Sequence, residues 1–146
     1  MTELEQEGLL PAGAWRMEDG ELRYTITPEM AVHKNIIYAF TSGTDILYIG
    51  KTTKLAAKQF NAYQSPTATQ SAHIKNHALI RKALQSGPVE IHILNDPKLT
   101  KMRWMEENPA TIRELALIQQ FRPKWNPGKM NTDKPRAPRG DEADAS

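Results

Sequence analysis

Cysteine is absent from the 146 residues, which excludes disulfides, cysteine-ligated zinc and a thiol nucleophile. That absence suits a reducing cytoplasm, and a cytoplasmic location is the expectation. No apolar run approaches membrane-spanning length, so no membrane partner is expected. The first residues, Met1-Thr2-Glu3-Leu4-Glu5, are acidic where a secretory signal would be basic. There is no internal repeat. A chain of this length has room for one core and little else.

Charge of one sign is also scarce, the net value being only +2. Its distribution says more. Residues 1–34 carry three basic and seven acidic side chains, and residues 35–127 carry twelve basic and six acidic ones. Residues 128–146 carry four of each. The positive excess therefore falls on the middle of the chain, as a phosphate-binding surface needs, although ordinary solvated domains carry such an excess too.

That middle opens with two short runs rich in β-branched and aromatic residues. They are Asn35-Ile36-Ile37-Tyr38-Ala39-Phe40 and Asp45-Ile46-Leu47-Tyr48-Ile49-Gly50, with the turn residues Thr41 to Asp45 between them. Together they read as a β-hairpin. If Phe40 faces Ile46 across a five-residue loop, Tyr38 lies directly opposite Tyr48 on one face. Two phenols side by side, followed by Gly50-Lys51-Thr52, suggest a site; tyrosine is also simply a good strand former.

Elsewhere the signals are coarser. Gly20 to Thr27 alternates well enough for a strand ended by Pro28, either a sheet edge or a strand packed across. Leu55 to Tyr63 reads as a short helix, Ser65 to Gln70 as a loop, and Ala78 to Leu84 as an apolar helix before Gly87. Val89 to Leu94 reads as a strand ended by Asn95-Asp96-Pro97, and residues 98–108 are ambiguous. A last helix begins after Asn108-Pro109, where Thr111 and Glu114 have the spacing of a capping box. From Gly128 the chain is polar, charged and proline-rich, and a disordered tail is expected.

Ile36-Ile37-Tyr38, then Tyr48-Ile49-Gly50-Lys51-Thr52, resembles the GIY-YIG nuclease superfamily, with Ile36 in place of the first glycine. The resemblance continues through the helix ending in Tyr63, the apolar helix, the strand at 89–94 and Glu114. It closes at Phe121-Arg122-Pro123-Lys124-Trp125-Asn126, a tail similar to that of the phage endonuclease II branch and of small bacterial members. Five motifs in one order make it specific. The implied fold is α+β, a small three-stranded, mostly antiparallel sheet flanked by helices over residues 35–127. Residues 1–34 are then an N-terminal extension and 128–146 the tail.

The implied activity is metal-dependent hydrolysis of DNA phosphodiesters, with magnesium or manganese held by Glu114. One carboxylate, with waters and substrate phosphate in the remaining positions, suits magnesium; the competing reading of Glu114 is the capping box. Tyr38 takes the family's position of general base or water-positioner. A free phenol titrates near 10, so a base role needs help, for which Lys51 is the nearest candidate in sequence. Tyr48 orients phosphate or water, and Gly50 lets the backbone approach the substrate. Asn126 is the family's late asparagine, holding a tyrosine or the backbone in place, and Trp125 is read as core. The implied partner is double-stranded DNA, and a double-strand cut would call for a homo-oligomer or sequential nicking.

One departure bears on activity. The family's first helix carries an arginine that stabilises the phosphorane, and residues 55–63 contain none. Counting forward from Tyr48 puts Lys58 there; counting back one turn from Tyr63 puts Gln59 there. Adjacent helix positions differ by about 100°, so only one can face the site. Gln59 is favoured. Loss of that cation keeps open an alternative: a DNA-binding protein on a nuclease scaffold without cleavage. His73 and His77 lie four apart, but a zinc site lacks a third ligand nearby. Phosphate contact by Lys75, His77 and Arg81, with Tyr63 near the DNA, is the reading set against a solvated helix face.

Overall fold

A computed structural model describes residues 2–67 and 71–126. The proposed tail at 128–146 and the end of the Ser65–Gln70 loop lie outside the described residues.

The fold is α+β, built on one five-stranded antiparallel sheet. Its strands are β1 (Leu10–Glu18), β2 (Glu21–Ile26), β3 (Ile36–Ser42), β4 (Asp45–Thr52) and β5 (Val89–Leu94). They are ordered β2-β1-β5-β3-β4. The helices are α1 (Glu3–Gln6), α2 (Pro28–Ala31), α3 (Ala56–Gln64), α4 (Ser71–Leu84) and α5 (Pro109–Phe121). The sheet is thus wider than the three strands read from sequence. The stretch before residue 34 supplies β1 and β2, and β2 is an edge.

β3 is buried from Ile36 to Thr41, and its alternation divides the core in two. Ile36, Tyr38 and Phe40 pack with Phe60 and Tyr63 of α3, Ile80 of α4 and Trp15 of β1. Ile37 and Ala39 pack on the other face with Leu4 of α1, Leu99, and Leu117 and Ile118 of α5. Trp15 stands edge-on to Phe40, Phe60 and Tyr63 with ring centroids 5.6, 6.1 and 6.4 Å away. Such edge-to-face contacts add about 0.5–1.5 kcal/mol each beyond burial.

The hairpin register differs from the sequence expectation by two residues. Tyr38 pairs with Gly50 and Phe40 with Tyr48. Two features cause the shift. Ser42 pairs with Asp45, so only Gly43 and Thr44 form the turn, with Gly43 at φ +60°. A bulge then leaves Leu47 as an extra residue between the pairs Thr41–Ile46 and Phe40–Tyr48. Tyr38 and Tyr48 are diagonal neighbours, their ring centroids 6.2 Å apart.

The N-terminus of α5 also differs from expectation. Asn108, not Thr111, is the cap, its side chain accepting from the Ala110 N–H at 3.0 Å with Pro109 in the first turn. Glu114 stands six residues past this cap and is buried, at 4% exposure, on the helix face that also buries Ala110, Leu117 and Ile118.

Candidate active site

Tyr38 is the centre of a polar cluster inside the first core. Its hydroxyl lies 2.6 Å from that of Tyr63 and accepts from the Gln59 side-chain amide at 3.0 Å. The same amide nitrogen is 3.4 Å from His73 Nε2, and the His73 ring meets Tyr63 edge-on at 4.7 Å. The Tyr63 hydroxyl is further hydrogen-bonded to Tyr48 and to the buried Asn76. Three phenols, two amides and an imidazole thus converge from β3, β4, α3 and α4. On α3, Gln59 faces Tyr38, and Lys58 is exposed.

Gly50 completes the cluster by having no side chain. A Cβ there would stand 2.7 Å from the Tyr48 ring and 2.8 Å from Cζ and Oη of Tyr38. The space beside Gly50 is filled by the two phenols.

Electrostatics within the cluster favour neutral groups. Burial, followed by the nearby Tyr63 and Tyr48, pushes the Tyr38 phenol well above its ordinary range, and the Gln59 hydrogen bond opposes this. Burial also raises Tyr63, against the hydrogen bonds it shares with Tyr38, Tyr48, Asn76 and Gln59. His73 is lowered by burial and then by the charge of Lys54.

Lys51 and Glu114 sit differently. Lys51 pairs with Ile37, so strand alternation turns it away from Tyr38 toward the face covered by α5. Glu114 is a buried residue of α5, the helix whose Ala110, Leu117 and Ile118 pack on that face. Asn126 is buried and holds the outer edge of β4. Its Oδ1 accepts from the Ile49 N–H at 3.0 Å and its Nδ2 donates to the Ile49 carbonyl at 3.1 Å. With Trp125 N–H donating to the Leu47 carbonyl at 2.7 Å, the final segment covers an otherwise open sheet edge. Trp125 packs partly buried against the first core.

The three residues of α4 read as phosphate contacts have separate surroundings. His77 Nδ1 is 2.7 Å from the Tyr63 carbonyl, Arg81 donates to the Gly20 carbonyl at 3.3 Å, and Lys75 is exposed. Among the described residues, no group of three or more His, Asp or Glu is placed to hold a metal ion. No described helix is long and apolar enough to cross a membrane.

A second feature was not legible from sequence. β3 begins, and β4 and β5 end, at the same end of the sheet, as the pairs Ile36–Thr52 and Ile37–Leu94 require. The connections meeting there carry Lys34, Lys54, Lys98, Lys101 and Arg103 against Glu29, Asp96, Glu106 and Glu107, and Lys51 adds a cation as the penultimate residue of β4. The opposite end has Asp45 and Glu90, with Glu3 and Glu5 of α1 beside it. Tyr38 and Gly50 lie one alternation in from the basic end.

Two solved structures share the architecture. A glutamate-to-alanine mutant of bacteriophage T4 EndoII superposes with a TM-score of 0.68 at 25% identity, covering 84% of this chain and 95% of that one. The restriction endonuclease HPY188I, solved in complex with product DNA, superposes with a TM-score of 0.50 at 13% identity, covering 92% and 82%. Both are GIY-YIG nucleases. No family model and no curated protein matches the sequence.

Proposed function

We propose that this chain, which has the fold of the GIY-YIG nucleases, is a metal-dependent endonuclease acting on double-stranded DNA. The observation that carries this is the convergence of Tyr38, Tyr48, Tyr63 and Gln59 beside the basic end of the sheet. That end offers phosphates several cations, and the cluster beside it offers hydroxyl and amide groups fixed by mutual hydrogen bonds.

In the proposed reaction a water oxygen bonds to phosphorus as that water gives up a proton to solvent, the P–O3′ bond breaks, and the leaving oxygen takes a proton from solvent. The raised phenol supports Tyr38 as the residue that positions the water rather than the base that deprotonates it. Tyr48, half-buried and bound to Tyr63, is the phenol with access to phosphate. Lys51 and the other cations at that end would bind the DNA backbone. Asn126 would act through β4, holding Ile49 and hence the register of Tyr48 and Gly50.

Glu114 would hold the magnesium or manganese ion. A carboxylate oxygen is the hard donor that magnesium and manganese take, and without nitrogen or sulfur ligands beside it among the described residues Glu114 does not make a zinc site. When bound, such an ion neutralises developing charge on the phosphoryl oxygens. The domain assignment, 35–127 for the nuclease unit with 1–34 as an extension, belongs to this proposal, as do a cytoplasmic setting and pairing of two copies for a double-strand cut.

Gln59 favours a second reading. A neutral amide stands where the family resemblance implies a cation, which supports a protein that binds DNA without cutting it. The two readings part on one assay, supercoiled plasmid incubated with magnesium. Nicked or linear product, abolished by chelator and in Glu114→Ala, is expected of the nuclease. Salt-sensitive binding without product would instead establish the second reading.

A further inference from the structure

The connection between β5 and α5 presents a feature that the fold does not need. Its root is fixed: Leu99 is buried, its carbonyl accepts from Asn35 Nδ2 at 2.6 Å, and Asp96 caps the Lys98 N–H at 2.9 Å. Beyond the root, the Met105 N–H donates to the Met102 carbonyl at 3.0 Å and closes a four-residue turn. Arg103 and Trp104 are its two central residues. Trp104 is 78% exposed, more than any other large apolar side chain among the described residues, and Met102 beside it is 49% exposed.

An isolated surface apolar residue requires no explanation. This one stands at the tip of an anchored turn, next to an arginine, at the end of the sheet where the cations gather. Lys98, Lys101 and Arg103 precede or flank it; Glu106 and Glu107 come only afterwards, on the approach to α5. Proteins that enter DNA grooves pair basic residues with an apolar or aromatic wedge set against a base step. Aromatic faces stack on bases with little dependence on sequence.

We infer that the Arg103–Trp104 turn is a second DNA-contacting element, in which Trp104 stacks on a base while Arg103 and Lys101 bind the flanking phosphates. The inference rests on the DNA reading above but concerns a surface separate from the tyrosine cluster. DNA, rather than a second copy of the chain, is the occupant argued for because Lys101 and Arg103 precede Trp104 on the turn, while the acidic residues of the same connection, Asp96, Glu106 and Glu107, lie at its root and on the approach to α5.

The test is equilibrium binding of a DNA duplex carrying 2-aminopurine, in chelator so that nothing is cut. Trp104→Ala should weaken binding about tenfold and abolish the 2-aminopurine signal, with the salt slope unchanged. Trp104→Phe should recover most of the affinity, and Arg103→Ala should lower the salt slope by about 1. Wild-type binding matched by Trp104→Ala would overturn this inference and leave the nuclease reading intact. No binding by the wild type would overturn both. Loss of self-association in Trp104→Ala with DNA affinity unchanged would give the turn to a second copy, and would overturn it too.

Discussion

The Tyr38 ring occupies the space that Gly50 leaves by having no side chain, its Cζ and Oη 2.8 Å from where a Cβ would stand. The two residues are cross-strand partners in β3 and β4, so the hairpin register sets the position of the phenol. Gly50→Ala must push aside Tyr38, which is buried and tied to Tyr63 and Gln59, as well as Tyr48. Overpacking of this kind costs about 1–3 kcal/mol. A fold retained by circular dichroism, with a lowered urea midpoint and cleavage reduced at least about tenfold, is the expected result.

Asn126 makes two hydrogen bonds to one residue, Ile49, at the buried edge of β4. Asn126→Ala leaves both backbone groups of Ile49 without that partner, at a cost of about 2–4 kcal/mol. Asn126→Asp keeps the acceptor but sets a buried carboxylate oxygen against the Ile49 carbonyl, so at neutral pH its cost should match or exceed that of alanine. Urea denaturation of the three proteins checks the order.

Much of this was legible in the residues, and the misses have physical causes. The hairpin showed itself in Ile36–Phe40 and Ile46–Ile49, but its register depended on a two-residue turn at Gly43 and a bulge at Leu47. Periodicity carries neither. β1 was missed because Pro11 and Gly13 are poor strand residues, and the pairing shifts between them. Counting one turn back from Tyr63 leads to Gln59, the residue whose amide reaches Tyr38. His73 and Asn76 could not be placed beside the tyrosines, because the packing of α4 on α3 is a tertiary fact. The basic end is of the same kind: its cations are scattered in sequence and gathered only by the topology.

Gln59 and Lys58 make opposite predictions. Gln59→Arg returns a cation to a position facing Tyr38 and should raise the cleavage rate at least roughly tenfold, about 1.4 kcal/mol of barrier. DNA affinity should change far less, since the charge acts on the phosphorane. Lys58→Ala, at an exposed position, should cost only some salt-dependent binding. Single-turnover rates and binding constants for both variants decide the matter. Abolished cleavage in Lys58→Ala with no gain in Gln59→Arg would give the role to Lys58.

His92 couples folding to acidity. Burial lowers its imidazole from the ordinary value of 6.5, against the pull of Glu90 on the same strand and Glu5 on α1. Between the lowered value and 6.5 the unfolded chain binds more protons than the folded one, so stability rises with pH there. It is full above about 6.5 and falls on acidification below that. His73, also lowered, acts in the same direction. Thermal midpoints measured from pH 7.5 to 5 should fall, and His92→Gln should flatten part of that fall.

The central claim is that cleavage depends on the carboxylate of Glu114. Glu114→Gln keeps the shape of this buried side chain and removes its charge. Its magnesium-dependent cleavage of supercoiled plasmid, followed under single-turnover conditions with DNA binding measured alongside, is the direct measurement. A rate at least roughly a hundredfold below wild type, about 2.7 kcal/mol, with binding retained, is the predicted result. Cleavage at the wild-type rate and with the wild-type magnesium dependence would contradict the assignment.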